Sequence, residues 1–152
     1  MVSVAQAEEI ILNQSRDFGT EQIPFESAIG RVLAEDIFAD RDLPPCNRVT
    51  MDGIAISYAA FENGQHYFRI KATIAAGDLP VDISHENECV EIMTGAALPA
   101  TADTVVRYED LEINNGIASI AAGNIKKGQN VHKKGKDKKL GDIVAGAHQV
   151  ID

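Results

Sequence analysis

The sequence predicts an α+β fold that is mostly β: a β-rich, partly barrel-like domain with a small helix/strand layer beside it. Three observations point there. Only the N-terminus carries a sustained amphipathic helical pattern. After it come short alternating or apolar runs separated by Gly/Pro turns, the grammar of strands in a compact sheet. No βαβ alternation and no repeat of solenoid length interrupts that series. The 152 residues make one ordinary domain or two small ones. With 45% hydrophobic residues but no Trp and 5% aromatics, the core must be mostly aliphatic.

Ser3-Val4-Ala5-Gln6 reads as a capping box, in which the Ser hydroxyl takes the N3 amide and Gln6 reaches back. Val4, Ala7, Ile10 and Ile11 then recur at helical spacing, predicting a helix from about Val4 to about Arg16 with Gly19 as its stop. Its apolar stripe has to lie against something else. Pro24 to Gly30 reads as a short helical turn, and Arg31 to Ala39 as an extended run with neither face purely apolar. Ile54 to Ser57, Tyr67 to Thr73, Cys89 to Met93 and Thr104 to Tyr108 read as strands. Asn114-Asn115-Gly116, between Leu111–Ile113 and Ile117–Ile120, is the clearest hairpin signal in the chain. Asp142 to Ile151 closes it as a strand or two.

The net charge of −9 argues against nucleic acid as a general partner. The charge is uneven: residues 126–139 hold seven lysines and one aspartate, a local +6 against −15 for the remainder. That contrast fits a local anion site or a solvated basic loop. No apolar run approaches membrane-spanning length, and the N-terminus lacks a signal pattern, so no membrane partner is expected. Cys46 and Cys89 are isolated thiols, for which a reducing cytoplasm is the simplest home. Four scattered histidines make no local metal motif.

Three loops carry the candidate chemistry. The first runs from Asp42 to Gly53, stiffened by Pro44 and Pro45 and ending in Asp52-Gly53. Asp52 fits either an Asx turn or a ligand-binding carboxylate. The second, Thr94 to Asp103, consists almost wholly of small residues, with Gly95 admitting close approach to the backbone. It fits equally a tight packed connection. The third is the lysine loop, Lys126 to Gly141. Converging, the loops would hold an anion through ammonium groups and free amides near Gly95, and two carboxylates would hold Mg²⁺ bridging to that anion. No nucleophile–base spacing of the hydrolytic kind appears.

Pro44-Pro45…Met51-Asp52-Gly53-Ile54-Ala55, then Ile92-Met93-Thr94-Gly95-Ala96-x-Leu98-Pro99-x-x-Ala102-Asp103-x-Val105-Val106-x-x-Glu109-Asp110, then Gly128-Gln129-Asn130-Val131-x-x-x-Gly135-x-Asp137, resemble the N-terminal half of the molybdopterin molybdenumtransferase (MoeA/gephyrin E-domain) family. The likeness runs from the Pro24 region to the end. It implies a discontinuous elongated domain (1–25 with 140–152) and a β-rich domain (26–139) bearing the three motifs. It further implies insertion of molybdate into adenylylated molybdopterin with Mg²⁺, in a cleft shared between subunits of a homodimer, with a molybdopterin adenylyltransferase as pathway partner. Carried over by motif position, Asp52, Thr94 and Asp137 are the catalytic candidates. Asp52 and Asp137 would be the metal ligands, and Gly95, His132, Lys133 and Lys134 ligand-binding residues.

The chain departs from the pattern at several positions. Val49 stands where the family commonly has Ser, Glu91 where an Arg usually precedes Ile-x-Thr-Gly, His132 at the first position of a basic triplet, and Lys136 in place of Glu. These changes keep open a non-catalytic dimerisation or partner-binding module with a degraded site. Whether residue 152 is a natural end is left open by the sequence.

Overall fold

A computed structural model describes residues 2–14, 16, 18–121 and 123–152. The chain forms two compact units, one made of residues 1–37 with 145–152 and the other of 38–144.

In the first unit, helix α1 spans Val4–Asn13. Its capping box forms as expected: Ser3 Oγ accepts from the Gln6 amide at 3.2 Å and Gln6 Oε1 from the Ser3 amide at 3.0 Å. The helix stops earlier than the periodicity suggested. The apolar repeat ends at Leu12, and Asn13 and Gln14 do not replace it; Gln14 caps the end by donating to the Ile11 and Leu12 carbonyls. Ser15 and Asp17, in and just beyond the expected last turn, lie outside the described residues. No residue of α1 is buried, and Val4, Ile10 and Ile11 are 86%, 55% and 70% exposed. The stripe expected to pack is therefore uncovered.

Phe25–Ser27 makes a single 3-10 turn, and Gly30, at φ 79°, donates to the Ile151 carbonyl. The extended run after it is mostly not a strand. Val32 forms an isolated antiparallel bridge with Val150, and only Ile37–Phe38 (β1) pairs as a strand, with Ile143–Ala145 (β10). Between those points the Asp36 carboxylate accepts from the Ala147 amide at 2.7 Å, a side-chain bond that competes with the ladder.

The second unit is built on a six-stranded sheet that curls into a half-barrel. Its strands are Gly53–Ile56 (β3), Tyr67–Ile74 (β4), Glu88–Ile92 (β5), Thr104–Arg107 (β6), Leu111–Asn114 (β7) and Ile117–Ile120 (β8). The order is β6-β3-β5-β4-β8-β7, antiparallel except for the β4/β5 pair. A separate two-stranded ladder joins Arg48–Val49 (β2) to Val131–His132 (β9). Strand alternation sorts the apolar residues onto two faces. Ala55, Val90, Ile92 and Val105 join Val49, Ala96, Leu98 and Ala102 on one; Ile54, Ile56, Cys89 and Val106 join Phe68 and Ala118 on the other. Because both faces are covered, all four residues of β3 are buried. That fixes the place of Asp52, the residue before it.

The Asn-Gly hairpin forms as read, with Asn115 at φ 51° and Gly116 at φ 75°, the double positive φ of a type I′ turn. Among the elements that had not been expected, beside β2, β9 and a 3-10 turn at Tyr108–Asp110, is helix α2, Tyr58–Glu62. Five residues are too few for a periodicity to show. Its first amide, Tyr58, donates to Asp103 Oδ1 at 2.8 Å across a gap of 45 residues. The expected mostly-β, partly barrel-like class is the one observed.

Candidate functional site

The segment from Asp42 to Asp52 is the hub of the three loops. On one side it pairs with the small-residue loop: Val49 donates to the Ala96 carbonyl at 3.0 Å, Gly95 to Val49 at 2.9 Å, and Leu98 to Asn47 at 2.9 Å. On the other it pairs with the lysine loop. Asp137 donates to the Leu43 carbonyl at 2.9 Å, Gly135 to Pro44 at 3.0 Å and Thr50 to Asn130 at 3.0 Å, while Asn47 Oδ1 accepts from the Lys134 amide at 3.0 Å. The three loops do converge. They converge through this one segment.

Within that frame Asp52 and Thr94 come together. Asp52 Oδ1 accepts from the Thr94 amide at 2.7 Å and from its hydroxyl at 2.8 Å, across 42 residues. The Asp52 carboxyl is thereby held below its usual range, by the backbone N–H first and the hydroxyl second. So Asp52 is ionised at neutral pH, and the long-range bond replaces the local Asx turn as the account of it. The Gly53 that follows is required by space: a Cβ there would lie 1.9 Å from the Val106 carbonyl oxygen.

The free amides expected near Gly95 are not there. The Thr94 amide is committed to Asp52, that of Gly95 to Val49 and that of Ala96 to Met93. Gly95 itself sits at φ 90°, where other residues are strained, and Ala96, Leu98 and Ala102 are buried in the core. The small residues of this loop serve packing, while its polar end, Thr94, serves Asp52.

Asp137 is paired within its own loop: its Oδ1 lies 2.7 Å from His132 Nε2. Lys134 Nζ is 3.6 Å from Asp42 Oδ2, and Lys127 Nζ is 3.8 Å from Asp103 Oδ2. Lys138 donates to the Ile143 carbonyl at 2.7 Å. Lys133 and Lys136 have no ion-pair partner among the described residues. The +6 loop is thus partly neutralised by neighbouring carboxylates. No group of three or more His, Cys, Asp or Glu among the described residues is arranged to hold a metal. Asp52 nonetheless keeps one carboxylate oxygen without a protein donor among them, which suits an ion such as Mg²⁺ that takes one or two carboxylates and completes its shell from water and substrate.

Sequence reasoning missed a second network beside Asp52. The Tyr108 hydroxyl donates to Glu91 Oε1 at 3.0 Å, and Thr73 Oγ1 donates to Glu91 Oε2 at 2.9 Å. The Tyr108 phenol is pushed up to about 12, by burial first, then by the Glu91 hydrogen bond and charge, with a contribution from the charge of Asp52. Glu91, where the family pattern carries Arg, therefore accepts one hydrogen bond at each carboxylate oxygen. Val49, where the pattern carries Ser, is 1% exposed and part of the core. Beyond Met51, a cavity of about 760 Å³ runs between Arg107, Glu109, Asp110, Gln129 and Asn130. None of the sequence-predicted site residues lines it. No helix among the described residues is long and apolar enough to cross a membrane.

Comparison with known proteins agrees with the motif order. The family described as "MoeA N-terminal region (domain I and II)" matches residues 2–152. A molybdopterin molybdenumtransferase from Synechocystis is 39% identical over 145 residues, covering 95% of this chain and 37% of that protein. One from Staphylococcus aureus is 31% identical over 156 residues, covering 99% and 37%. Two crystal structures of the molybdopterin biosynthesis protein MoeA from Pyrococcus horikoshii align with TM-scores of 0.77 and 0.86, at 32% and 27% identity. They cover 95% and 97% of this chain but 38% and 40% of theirs. The chain thus spans under half the length of the relatives it matches. By matched length, motif order and fold, it belongs to the MoeA N-terminal region family.

Proposed function

We propose that the chain serves molybdenum cofactor biosynthesis as the N-terminal part of a cytoplasmic enzyme that inserts molybdate into adenylylated molybdopterin. The observation that carries this reading is the bond between Asp52 and Thr94, formed between two motifs 42 residues apart. Asp52 presents an ionised, oriented carboxylate; Thr94 fixes its direction and shares one oxygen of it. Asp137, His132, Lys133 and Lys134 bring charge of both signs to the same hub segment. Mg²⁺, when bound, would supply the positive charge that lets an oxyanion approach two carboxylates. The residues themselves orient and neutralise the anions.

In this reading the 152 residues supply half of a cleft completed by a partner subunit, and the isolated chain is inactive. The homodimer is supported by the uncovered apolar stripe of α1, since an amphipathic helix gains its stability from tertiary packing. A molybdopterin adenylyltransferase would supply the substrate. The test is turnover by the full-length protein: adenylylated molybdopterin, molybdate and Mg²⁺ should yield molybdenum cofactor and AMP. Glu91, tied to Tyr108 and Thr73 at a position where the family carries a cation, favours a second reading, a non-catalytic dimerisation or partner-binding module. Absence of molybdate-dependent AMP release from well-folded full-length protein would select that second reading.

A further inference from the structure

Where the lysine loop meets the small-residue loop, the second unit carries a half-open cavity of about 310 Å³ whose lining shares Lys133 with the candidate site but includes none of Asp52, Thr94 or Asp137. Its floor is apolar. Leu98 and Ala102, at 8% and 7% exposure, belong to one core cluster, and the half-buried Val131 packs against it. Its rim is polar, formed by Asn47, Asp103, Lys127 and Lys133. The charges on that rim do not cancel. Asp103 is heavily committed: Oδ1 accepts from the Tyr58 amide at 2.8 Å and the Thr104 hydroxyl at 3.1 Å, and Oδ2 lies 3.8 Å from Lys127 Nζ. Lys133 has no ion-pair partner among the described residues. Two ammonium groups against one carboxylate leave one positive charge. Asn47 Oδ1 is taken by the Lys134 amide, which leaves the Asn47 NH₂ group as a donor pair with no protein acceptor among the described residues.

A cavity of this size lies at the small end of ligand sites, and its pattern of apolar floor with a few convergent polar groups is the usual one. We infer that it binds a small organic monoanion, a carboxylate seated between Lys127, Lys133 and the Asn47 amide with a short apolar body on Leu98, Ala102 and Val131. The single net charge selects a monoanion over a dianion, and the apolar floor selects an organic acid over an inorganic ion. Exposed ammonium groups contribute little each, so affinity for a simple probe is in the low-millimolar range. This inference goes beyond the molybdate reading and does not depend on it.

The test is amide NMR of the chain titrated with benzoate and, separately, with inorganic phosphate. Benzoate should shift the amides of Ala102, Gly128 and Val131 along a saturating curve, and phosphate should act more weakly. The double variant Lys127→Gln/Lys133→Gln should weaken benzoate at least tenfold. Lys136→Gln/Lys139→Gln, the same charge change outside the cavity lining, should leave it within twofold. Dispersed spectra will show that both variants stay folded. Shifts that do not saturate, a stronger response to phosphate, or equal losses in the two double variants would each overturn the assignment.

Discussion

Replacing Gly53 by Ala probes how tightly the sheet holds the candidate site. The added Cβ would stand 1.9 Å from the Val106 carbonyl oxygen, 2.8 Å from its carbon and 2.9 Å from the Arg107 Cα, where about 3.0 Å is the floor for real contacts. The carbonyl must therefore retreat by more than 1 Å. Adjacent strands lie about 4.8 Å apart, so such a retreat breaks the local ladder instead of bending it. Gly53 pairs with Arg107 on one side and Ile92 on the other, and every residue of β3 is buried, so the strand has nowhere to go. Overpacking of about 1–3 kcal/mol, with one or two ladder hydrogen bonds at about 1 kcal/mol each, gives a loss of roughly 3 kcal/mol. In urea, at about 2 kcal/mol per molar, the midpoint falls by about 1.5 M. Because Asp52 is the next residue, its bond to Thr94 should loosen as well, read as an upfield move of the Thr94 amide proton. A midpoint within about 0.3 M of the native protein's, with the Thr94 amide unmoved, would refute the reasoning.

Thr94→Val removes one of two donors to Asp52, so the Asp52 pKa should rise toward the ordinary carboxylate range without reaching it, because the backbone N–H persists. A carboxyl held low in the folded state stabilises above its unfolded pKa and ceases to as pH falls through the folded value; a carbon-detected titration of Asp52 that shows no change in the variant counts against this. Cys89 is fully buried and its thiol is pushed up to about 12 by burial and then by Glu91, whereas Cys46 is exposed. A thiol reagent at pH 8 should therefore label one cysteine in the native chain and both in denaturant, and two labelled in the native chain would contradict that burial. The same raised thiol favours the folded state below about pH 9 and stops doing so as pH climbs through about 12, so alkaline unfolding should ease across that window. Ile11→Glu, on the exposed face of α1, should change the stability of the chain by less than about 0.5 kcal/mol while lowering dimer content of the full-length protein; an unaffected dimer in sedimentation would remove α1 from the interface.

Legibility in the sequence followed locality. The α1 capping box and the Asn115-Gly116 turn depend on residues within a few positions of each other, and both formed as read. The strands with clean alternation or a closed apolar run, such as Tyr67–Ile74 and Glu88–Ile92, were equally plain. What escaped depends on distant partners. The Gly95 amide looked free because nothing nearby in sequence accepts from it, and the acceptor is Val49. Helix α2 is one turn long and is anchored by Asp103. Val49 looked like a lost hydroxyl, yet it occupies a core position that spacing alone does not reveal. Asp52 and Thr94 were named from motif likeness, and the bond between them is what folding adds.

The proposed function makes Asp52, held by Thr94, the carboxylate on which molybdate insertion turns. Its most direct test is molybdate-dependent AMP release by full-length Asp52→Ala, with thermal unfolding measured in parallel. The rate should fall at least about 100-fold, the scale of removing one preorganised electrostatic group, at an unchanged melting temperature. Native turnover by the well-folded variant would contradict it and take Asp52 out of the chemistry.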